Sequence, residues 1–190
     1  TIRPYLLDDA ELKNAPEGFN TAEGKGKLNA YCYTVQVSTL DCTSCGSCAA
    51  VCPSKEKALT MKPVAEVDVD PKHWQYAQTI SEKEVDFSSV KGSQFKKPWL
   101  EFSGAWAGCG ETPYIKLLTQ LYGDKMYFAN ATGCTQAWGS AMPCVPYTTD
   151  QNGRGPAWSN SLFENNAEFS LGMALAVQQQ RDAVKEQTEE

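Results

Sequence analysis

Hydrophobic and polar residues alternate along YCYTVQVS, residues 31–38, where tyrosines and valines are spaced by cysteine, threonine, glutamine and serine. This period of two predicts a β-strand with one buried face. A second, shorter strand is predicted for ALTMKPV, residues 58–64. Residues 1–30 carry proline and glycine among polar side chains, which predicts an irregular connector. Residues 66–98 predict a polar linker with a few helical turns near 73–79.

The second half of the chain contains two stretches that predict helices and one that predicts a strand. Thr112 is a suitable N-cap and Pro113 a suitable first residue for a helix that Gly123 would end. The apolar face of this helix is predicted to consist of Tyr114, Leu117, Leu118 and Leu121. KMYFANA, residues 125–131, predicts a strand, and residues 161–187 predict a helix that starts apolar and ends solvated. The order helix, strand, loop, helix predicts an α/β layer.

Composition narrows the class of protein. A chain of 190 residues forms one long domain or two short ones. A net charge of −6 without a stripe of Lys and Arg argues against binding to nucleic acid. No apolar run approaches the length needed to span a membrane. Eight bunched cysteines do not match a secreted disulfide scaffold and favour metal-bound thiolates in a reducing cytosol.

Four of the cysteines form one run, LDCTSCGSCAAVCP, with the spacing C-x2-C-x2-C-x3-C-P. This spacing is the bacterial 4Fe–4S pattern, with zinc or free thiols as the alternatives. In two-cluster ferredoxins the fourth cysteine of such a run binds the other cluster. Cys42, Cys45 and Cys48 are therefore predicted to hold three corners of one cluster, while Cys52 reaches a second. Both clusters then need further cysteines from another run that the sequence lacks.

Both ends of the sequence predict that it is a piece of a longer protein. It begins at Thr1 without an initiator methionine, and it stops within a predicted helix.

Several long motifs carry a resemblance to one family. They are TIRPYLLDDAE, APEGF, VQVSTLDCTSCGSCAAVCP, EFSGAWAGCGETPYIKLLTQLYGDKMYFANATGC and PYTTDQNGRGPAWSNSLFENNAEFSLGMALA. Together they resemble pyruvate:ferredoxin (flavodoxin) oxidoreductase, a thiamine diphosphate enzyme of anaerobic metabolism, over nearly the whole chain. The resemblance implies an α+β ferredoxin-like half domain followed by part of an α/β thiamine diphosphate-binding domain. Residues 1–65 would be the second half of a two-cluster 4Fe–4S ferredoxin-like domain with its connector, 66–98 a linker, and 99–190 the start of the thiamine domain.

The activity implied by the resemblance is oxidative decarboxylation of pyruvate. The acetyl group passes to coenzyme A, and electrons leave singly through three 4Fe–4S clusters to ferredoxin or flavodoxin. The parent enzyme would be a homodimer with no nucleic-acid or membrane partner, located in the cytoplasm or in an organelle such as a hydrogenosome. The Mg2+ ligands and the pyruvate and coenzyme A sites would lie outside this sequence. No catalytic residue is assigned within it.

The resemblance also implies residue roles in the second half of the chain. Cys109 and Cys134 occupy two ligand positions of the cluster nearest the thiamine, and Cys134 lies beside the cofactor. Glu111 matches the glutamate that hydrogen-bonds the aminopyrimidine ring. Trp106 stands where the family has the first cysteine of this cluster, and an indole has only an N–H donor and no usable lone pair for iron.

Three accounts of Trp106 are open: natural loss of the cluster, a cluster with three irons or another ligand, and an altered or erroneous sequence. Loss would interrupt electron transfer, which favours the third account.

Two other functions are open. One is a free-standing ferredoxin-like electron carrier or metal-binding module, and the other is an oxidoreductase for a related 2-oxoacid. Cys32 and Cys144 are predicted to be free thiols without a metal.

Overall fold

The computed structural model describes residues 2–67, 71–139, 145–150 and 152–189. Cys144 lies outside these residues. The chain divides into two compact units. Unit 1 consists of Thr1–Pro98 and Trp106–Gln120, and unit 2 of Trp99–Ala105 and Leu121–Glu190.

Unit 1 contains a three-stranded antiparallel sheet in the order β1-β3-β2. Its strands are β1 (Ile2–Leu7), β2 (Ala22–Glu23) and β3 (Cys32–Val37). β3 confirms the strand predicted from YCYTVQVS. The irregular connector predicted for residues 1–30 is wrong, because this stretch supplies β1, β2 and the helix α1 (Asp9–Lys13).

The buried face of β3 is its polar face. Leu7 pairs with Cys32 and Tyr5 with Thr34 in the register between β1 and β3, so these four side chains share one face of the sheet. Tyr5 and Leu7 form the core of unit 1 with two further residues, Phe19 and Ala77. Thr34 is buried, and its hydroxyl is satisfied there because it donates to Asn20 O at 2.7 Å. The alternating tyrosines and valines lie on the other face, where Tyr33 and Val35 remain exposed.

Unit 1 also contains the helices α2 (Ser47–Ala50), α3 (Lys72–Thr79) and α4 (Val90–Ser93). α3 confirms the helical turns predicted near residues 73–79, and it brings Ala77 into the core. The strand predicted for residues 58–64 is wrong, since these residues form no β-strand. β3 already has a partner on each side, and Pro63 has no N–H to donate to a strand ladder.

The helix α5 (Thr112–Tyr122) is confirmed and ends before Gly123, as predicted. It begins one residue earlier than predicted, because Ile115 N donates to Glu111 O at 3.2 Å.

The buried residues of α5 are polar: Thr119 and Gln120 are almost completely buried. Gln120 Nε2 donates to the carbonyls of Ser93 at 3.0 Å and Lys96 at 2.7 Å. The predicted apolar face is exposed instead, and its members are Tyr114, Leu117, Leu118 and Leu121.

Unit 2 contains a parallel pair of strands, β4 (Tyr127–Asn130) and β5 (Ala157–Asn160). The helix α6 (Cys134–Gly139) follows β4, and α7 (Asn166–Glu189) follows β5 and packs on β4. β4 and α7 confirm sequence predictions, although α7 begins five residues later than predicted. β5 falls in the stretch between the predicted strand and the last predicted helix, where the sequence predicts a loop.

The two units together fit the α+β class, with one antiparallel and one parallel sheet. The ferredoxin-like and thiamine-domain assignments, and their boundaries, stay predictions. Among the described residues, no helix is long and apolar enough to cross a membrane.

A half-buried lysine links α1 to the segment after α3. Lys83 Nζ lies 2.9 Å from Asp8 Oδ2 and 2.7 Å from Glu11 Oε2, and its side chain is 8% exposed. Asp8 and Glu11 also form the capping box of α1, and Glu11 Oε1 accepts from Ser81 N at 3.0 Å and Ser81 Oγ at 2.8 Å. One ion-pair network therefore caps α1 and fixes the chain at residues 81–83.

The same network lowers both carboxyl pKa values. The pKa of Asp8 lies below its ordinary value because the Glu11 N–H and then Lys83 donate to its carboxylate. Burial alone would raise the pKa of Glu11, but bonds from Lys83, Ser81 and the Asp8 N–H outweigh burial and lower it. Depressed carboxyl pKa values stabilise the fold above the unfolded-state pKa near 4. This stabilisation is lost as the pH falls through the folded-state values.

Replacement of Lys83 by Met is expected to lower the free energy of unfolding by about 2 kcal/mol, because it leaves Glu11 partly buried without its cation. Chemical denaturation at neutral pH measures this loss. The variant should also show a weaker fall in stability between about pH 5 and pH 3, since fewer depressed carboxyl groups remain.

Lys185→Met is the matched control, because Lys185 lies 3.9 Å from Asp182 in an exposed ion pair. It should change stability by less than about 0.5 kcal/mol. Equal losses in the two variants would contradict a special role for Lys83.

Candidate cluster-binding and cofactor sites

The cysteine run starts where β3 ends. Ser38 follows the strand, is 4% exposed, and its Oγ donates to Asp41 Oδ2 at 2.5 Å. Cys42 N then donates to Thr39 O at 3.4 Å. These contacts turn the chain away from the sheet and place Cys42 at the beginning of a surface loop.

Positive φ angles shape this loop. Gly46 has φ +74° and precedes the first residue of α2, and Ser44 has φ +55°. A left-handed residue at the start of the helix favours glycine because a Cβ would be strained there. A short helix, α2, lies within the cysteine run and contains Cys48. Lys57 Nζ donates to the carbonyls of Ala50 at 3.0 Å and Cys52 at 3.1 Å, which caps the end of α2.

Two of the four thiols have lowered pKa values. The Ser47 backbone N–H is the main cause at Cys45, with a contribution from the Ser47 hydroxyl, which lies 3.6 Å from Cys45 Sγ. The Ser54 backbone N–H is the main cause at Cys52. Hydrogen bonds to sulfur favour the thiolate, which is the form that binds metal. Cys45 is exposed, and Cys42, Cys48 and Cys52 are half-buried.

The structure places the four cysteines on one loop but does not gather their side chains. Among the described residues, no group of three or more His, Cys, Asp and Glu side chains lies close enough together to hold a metal ion. The chemistry of the donor set nevertheless fits an iron–sulfur cluster. Soft thiolates with backbone N–H donors to sulfur are the ligands such clusters use, and no histidine lies in the run.

Trp106 and Cys109 lie at the two ends of one tight turn in unit 1. Cys109 N donates to Trp106 O at 3.0 Å, and Gly108 in the third position has φ +77°. These are the marks of a type II β-turn, whose first and fourth Cα atoms lie within about 7 Å of each other. The Trp106 side chain is 90% exposed, so no core contact depends on the indole.

Glu111 lies at the start of α5, also in unit 1. Its carbonyl accepts from Tyr114 N at 3.1 Å and Ile115 N at 3.2 Å, so it occupies the cap position that the sequence assigned to Thr112. Its side chain is exposed and makes no hydrogen bond within the described part of the chain. The carboxyl group is therefore available to a ligand.

Cys134 belongs to unit 2, where it is the first residue of α6 and is exposed. Gly133, with φ +147°, precedes it. Thr135 Oγ1 donates to Asn130 Oδ1 at 2.9 Å and links the start of α6 to the end of β4.

Sequence reasoning missed the polar side chains at the carboxyl ends of β4 and β5. Asn130 and Asn160 are register partners, and Asn130 Nδ2 donates to Asn160 Oδ1 at 3.1 Å. The pairing of these two asparagines could not be predicted, because the sequence did not predict β5. Asn160 therefore had no assigned place beside Asn130.

The chain is similar to known proteins over nearly its whole length. No family model matches the chain. It is 56% identical to pyruvate:ferredoxin oxidoreductase of Moorella thermoacetica over 185 residues, 95% of the chain. It is 52% identical to pyruvate-flavodoxin oxidoreductase of Enterobacter agglomerans over 188 residues, 98% of the chain. The chain is homologous to a segment of pyruvate:ferredoxin (flavodoxin) oxidoreductases.

The resemblance stated from the motifs is thereby confirmed. A third relative, pyruvate dehydrogenase [NADP(+)] of Cryptosporidium parvum, is 51% identical over 190 residues, 97% of the chain. The chain spans 16% of the length of each of the first two oxidoreductases and 10% of the third. The matches thus extend over both units of the chain but only a small part of each relative.

Proposed function

We propose that this chain is part of a thiamine diphosphate-dependent enzyme that oxidatively decarboxylates pyruvate to acetyl-CoA. The observation that carries the proposal is the 56% identity over 95% of the chain, which extends over both the cysteine run and the Cys109–Cys134 region. Three relatives are named for pyruvate although their names give different acceptors: ferredoxin, flavodoxin and NADP(+). Pyruvate is the shared element, so we assign pyruvate as substrate and ferredoxin or flavodoxin as acceptor.

The proposed roles of the two parts of the chain follow the domain boundaries implied by the resemblance. Residues 1–65 would carry ligands of two outer 4Fe–4S clusters, and residues 99–190 would contribute to the thiamine site. Thiamine diphosphate would stabilise the negative charge left by decarboxylation, and the clusters would carry single electrons. Mg2+ would be bound by residues outside this chain.

The residues proposed to face these groups have the chemistry the groups require. The outer clusters would be held by Cys42, Cys45, Cys48 and Cys52. The cluster nearest the thiamine would be held by Cys109 and Cys134. The exposed Glu111 carboxylate would hydrogen-bond a nitrogen of the aminopyrimidine ring. This bond would favour the form of the ring in which that nitrogen carries a proton. Support comes from the thiolate-favouring N–H donors at Cys45 and Cys52 and from the unpaired Glu111 carboxylate.

The proposed full-length enzyme, purified without oxygen, is expected to show a broad visible absorption band that bleaches when pyruvate and coenzyme A are added. The reason is that electrons from pyruvate would reduce the clusters. A colourless protein containing zinc as its only metal would refute the proposal. Bleaching by a different 2-oxoacid, but not by pyruvate, would show that the assigned substrate is wrong and that the assigned reaction class is correct.

Cys52 is proposed to bind a different cluster from Cys42, Cys45 and Cys48. Replacement of Cys52 by Ala should therefore perturb one outer-cluster EPR signal, whereas Cys45→Ala should perturb the other. Cys32→Ala is the matched control, because Cys32 lies on β3 and outside the run. If Cys45→Ala and Cys52→Ala perturb the same signal, the crossed assignment is wrong.

The turn between Trp106 and Cys109 determines how Trp106 can be tested. A cysteine at position 106 would sit at the far end of the turn from Cys109 and would form a C-x2-C pair with it. The 90% exposure of Trp106 means that the substitution removes little packing. A change in metal binding can therefore be separated from a change in folding.

Trp106→Cys is expected to raise the iron content of the proposed full-length enzyme from roughly eight to roughly twelve atoms per chain, since it restores a thiolate ligand of the third cluster. Ferredoxin reduction should become fast in the same variant. Trp106→Ser is the control, because it removes the indole without adding a thiol. Twelve irons and fast reduction with Trp106 present would show that another ligand already replaces the cysteine.

A further inference from the structure

β4 and β5 end at the same edge of the parallel sheet, each in an asparagine. Asn130 and Asn160 are register partners, and Asn130 Nδ2 donates to Asn160 Oδ1 at 3.1 Å. The pairing continues one residue further, because Ser161 N donates to Asn130 O at 2.8 Å. In parallel sheets, functional groups are presented at this carboxyl edge. The two amides therefore join the strand ends where a site is expected.

The same amide is bonded to the start of α6. Thr135 Oγ1 donates to Asn130 Oδ1 at 2.9 Å, and Thr135 directly follows Cys134. The bond closes the short loop that leads from β4 into the helix. Ala137 N donates to Gly133 O at 3.0 Å, which completes the first turn of α6. A continuous set of hydrogen bonds thus runs from β5 to the residue beside the Cys134 thiol.

These contacts allow only one orientation of the Asn130 amide. Its Nδ2 donates to Asn160 Oδ1 and to Ala131 O, each at 3.1 Å, while its Oδ1 accepts from Thr135. A flipped amide would turn its oxygen towards two acceptors. Asn160 is held in turn, because its Nδ2 donates to Ser161 O at 3.0 Å. The set therefore has one defined geometry.

We infer that Asn130, Asn160 and Thr135 are positioning residues that fix where the Cys134 thiol is presented. A ligand at the start of a short helix needs such support, because a cluster accepts its ligands within a narrow range of positions. α6 has six residues, and the first N–H groups of a helix have no partner within it. The hydrogen bonds of Asn130, Asn160 and Thr135 link this first turn to both strands. The inference rests on the proposed function only for the role of Cys134 as a ligand.

Hydrogen exchange at the Ala137 amide tests the positioning role in the reduced, iron-free chain. Thr135→Val keeps the shape of the side chain but removes the hydroxyl, so exchange at Ala137 should become about tenfold faster. Thr135→Ser keeps the hydroxyl and should restore the slow rate. Asn160→Ala removes the acceptor of Asn130 without touching α6, and it should also speed exchange at Ala137.

Thr188→Val is the control, because Thr188 Oγ1 donates to Lys185 O at 2.9 Å within α7. It should leave exchange at Ala137 unchanged. An unchanged Ala137 rate in Thr135→Val would overturn the inference. So would exchange that rises equally throughout β4, β5 and α7, since that result would show only general destabilisation. An effect of Thr135→Val without an effect of Asn160→Ala would remove Asn160 from the set.

The cluster itself gives a separate readout. In the proposed full-length enzyme carrying Trp106→Cys, Thr135→Val should shift the EPR signal of the third cluster and leave the outer clusters unchanged. If no variant forms a third cluster while the exchange results hold, the positioning role stands and the assignment of Cys134 as a ligand fails.

Discussion

The antiparallel register between β1 and β3 determines which side chains form the interior of unit 1. Because Leu7 lies opposite Cys32 and Tyr5 opposite Thr34, the large apolar side chains of the core come from β1. β3 contributes small and polar side chains to the same face. A shift of one residue would turn Tyr5 and Leu7 to the other face of the sheet. The place where β3 ends, and therefore where the cysteine loop begins, follows from this pairing.

The candidate ligands depend on backbone geometry more than on packing. Gly46 and Gly108 have φ angles of +74° and +77°. Gly46 lies between Cys45 and Cys48, and Gly108 lies between Trp106 and Cys109. Neither glycine would place a Cβ within 4 Å of another residue, so conformation and not space favours glycine there. Thiols on such loops remain accessible to an incoming metal, whereas the same thiols in the core would be shielded. Cys134 differs, because polar side chains at the ends of two strands support its loop.

The sequence predicted the elements whose signals are local. β3, β4, α5 and α7 follow from alternation, helix spacing and stop signals within a single stretch. The candidate cluster ligands are also proposed from a local signal, since the spacing of the cysteines is itself the motif; their role stays a prediction. What the sequence could not provide was the choice of buried face. Thr34 and Gln120 are buried because distant carbonyls accept their hydrogen bonds, at Asn20 for the first and at Ser93 and Lys96 for the second. β1 was missed for a related reason, since its pairing partner lies about thirty residues away.

The turn that contains Trp106 and the metal binding proposed at this position depend on different features of the sequence. The turn that holds it forms from local signals alone, because Gly108 can adopt its positive φ whatever residue stands at position 106. The backbone is thus compatible with a C-x2-C pair although the chain carries only one of the two thiols. An exposed indole contributes little to the stability of that turn, so stability gives no reason for the tryptophan. A thiolate can bind iron, by contrast, whereas an indole has no usable lone pair to offer it. The residue therefore affects the proposed electron path far more than it affects the fold.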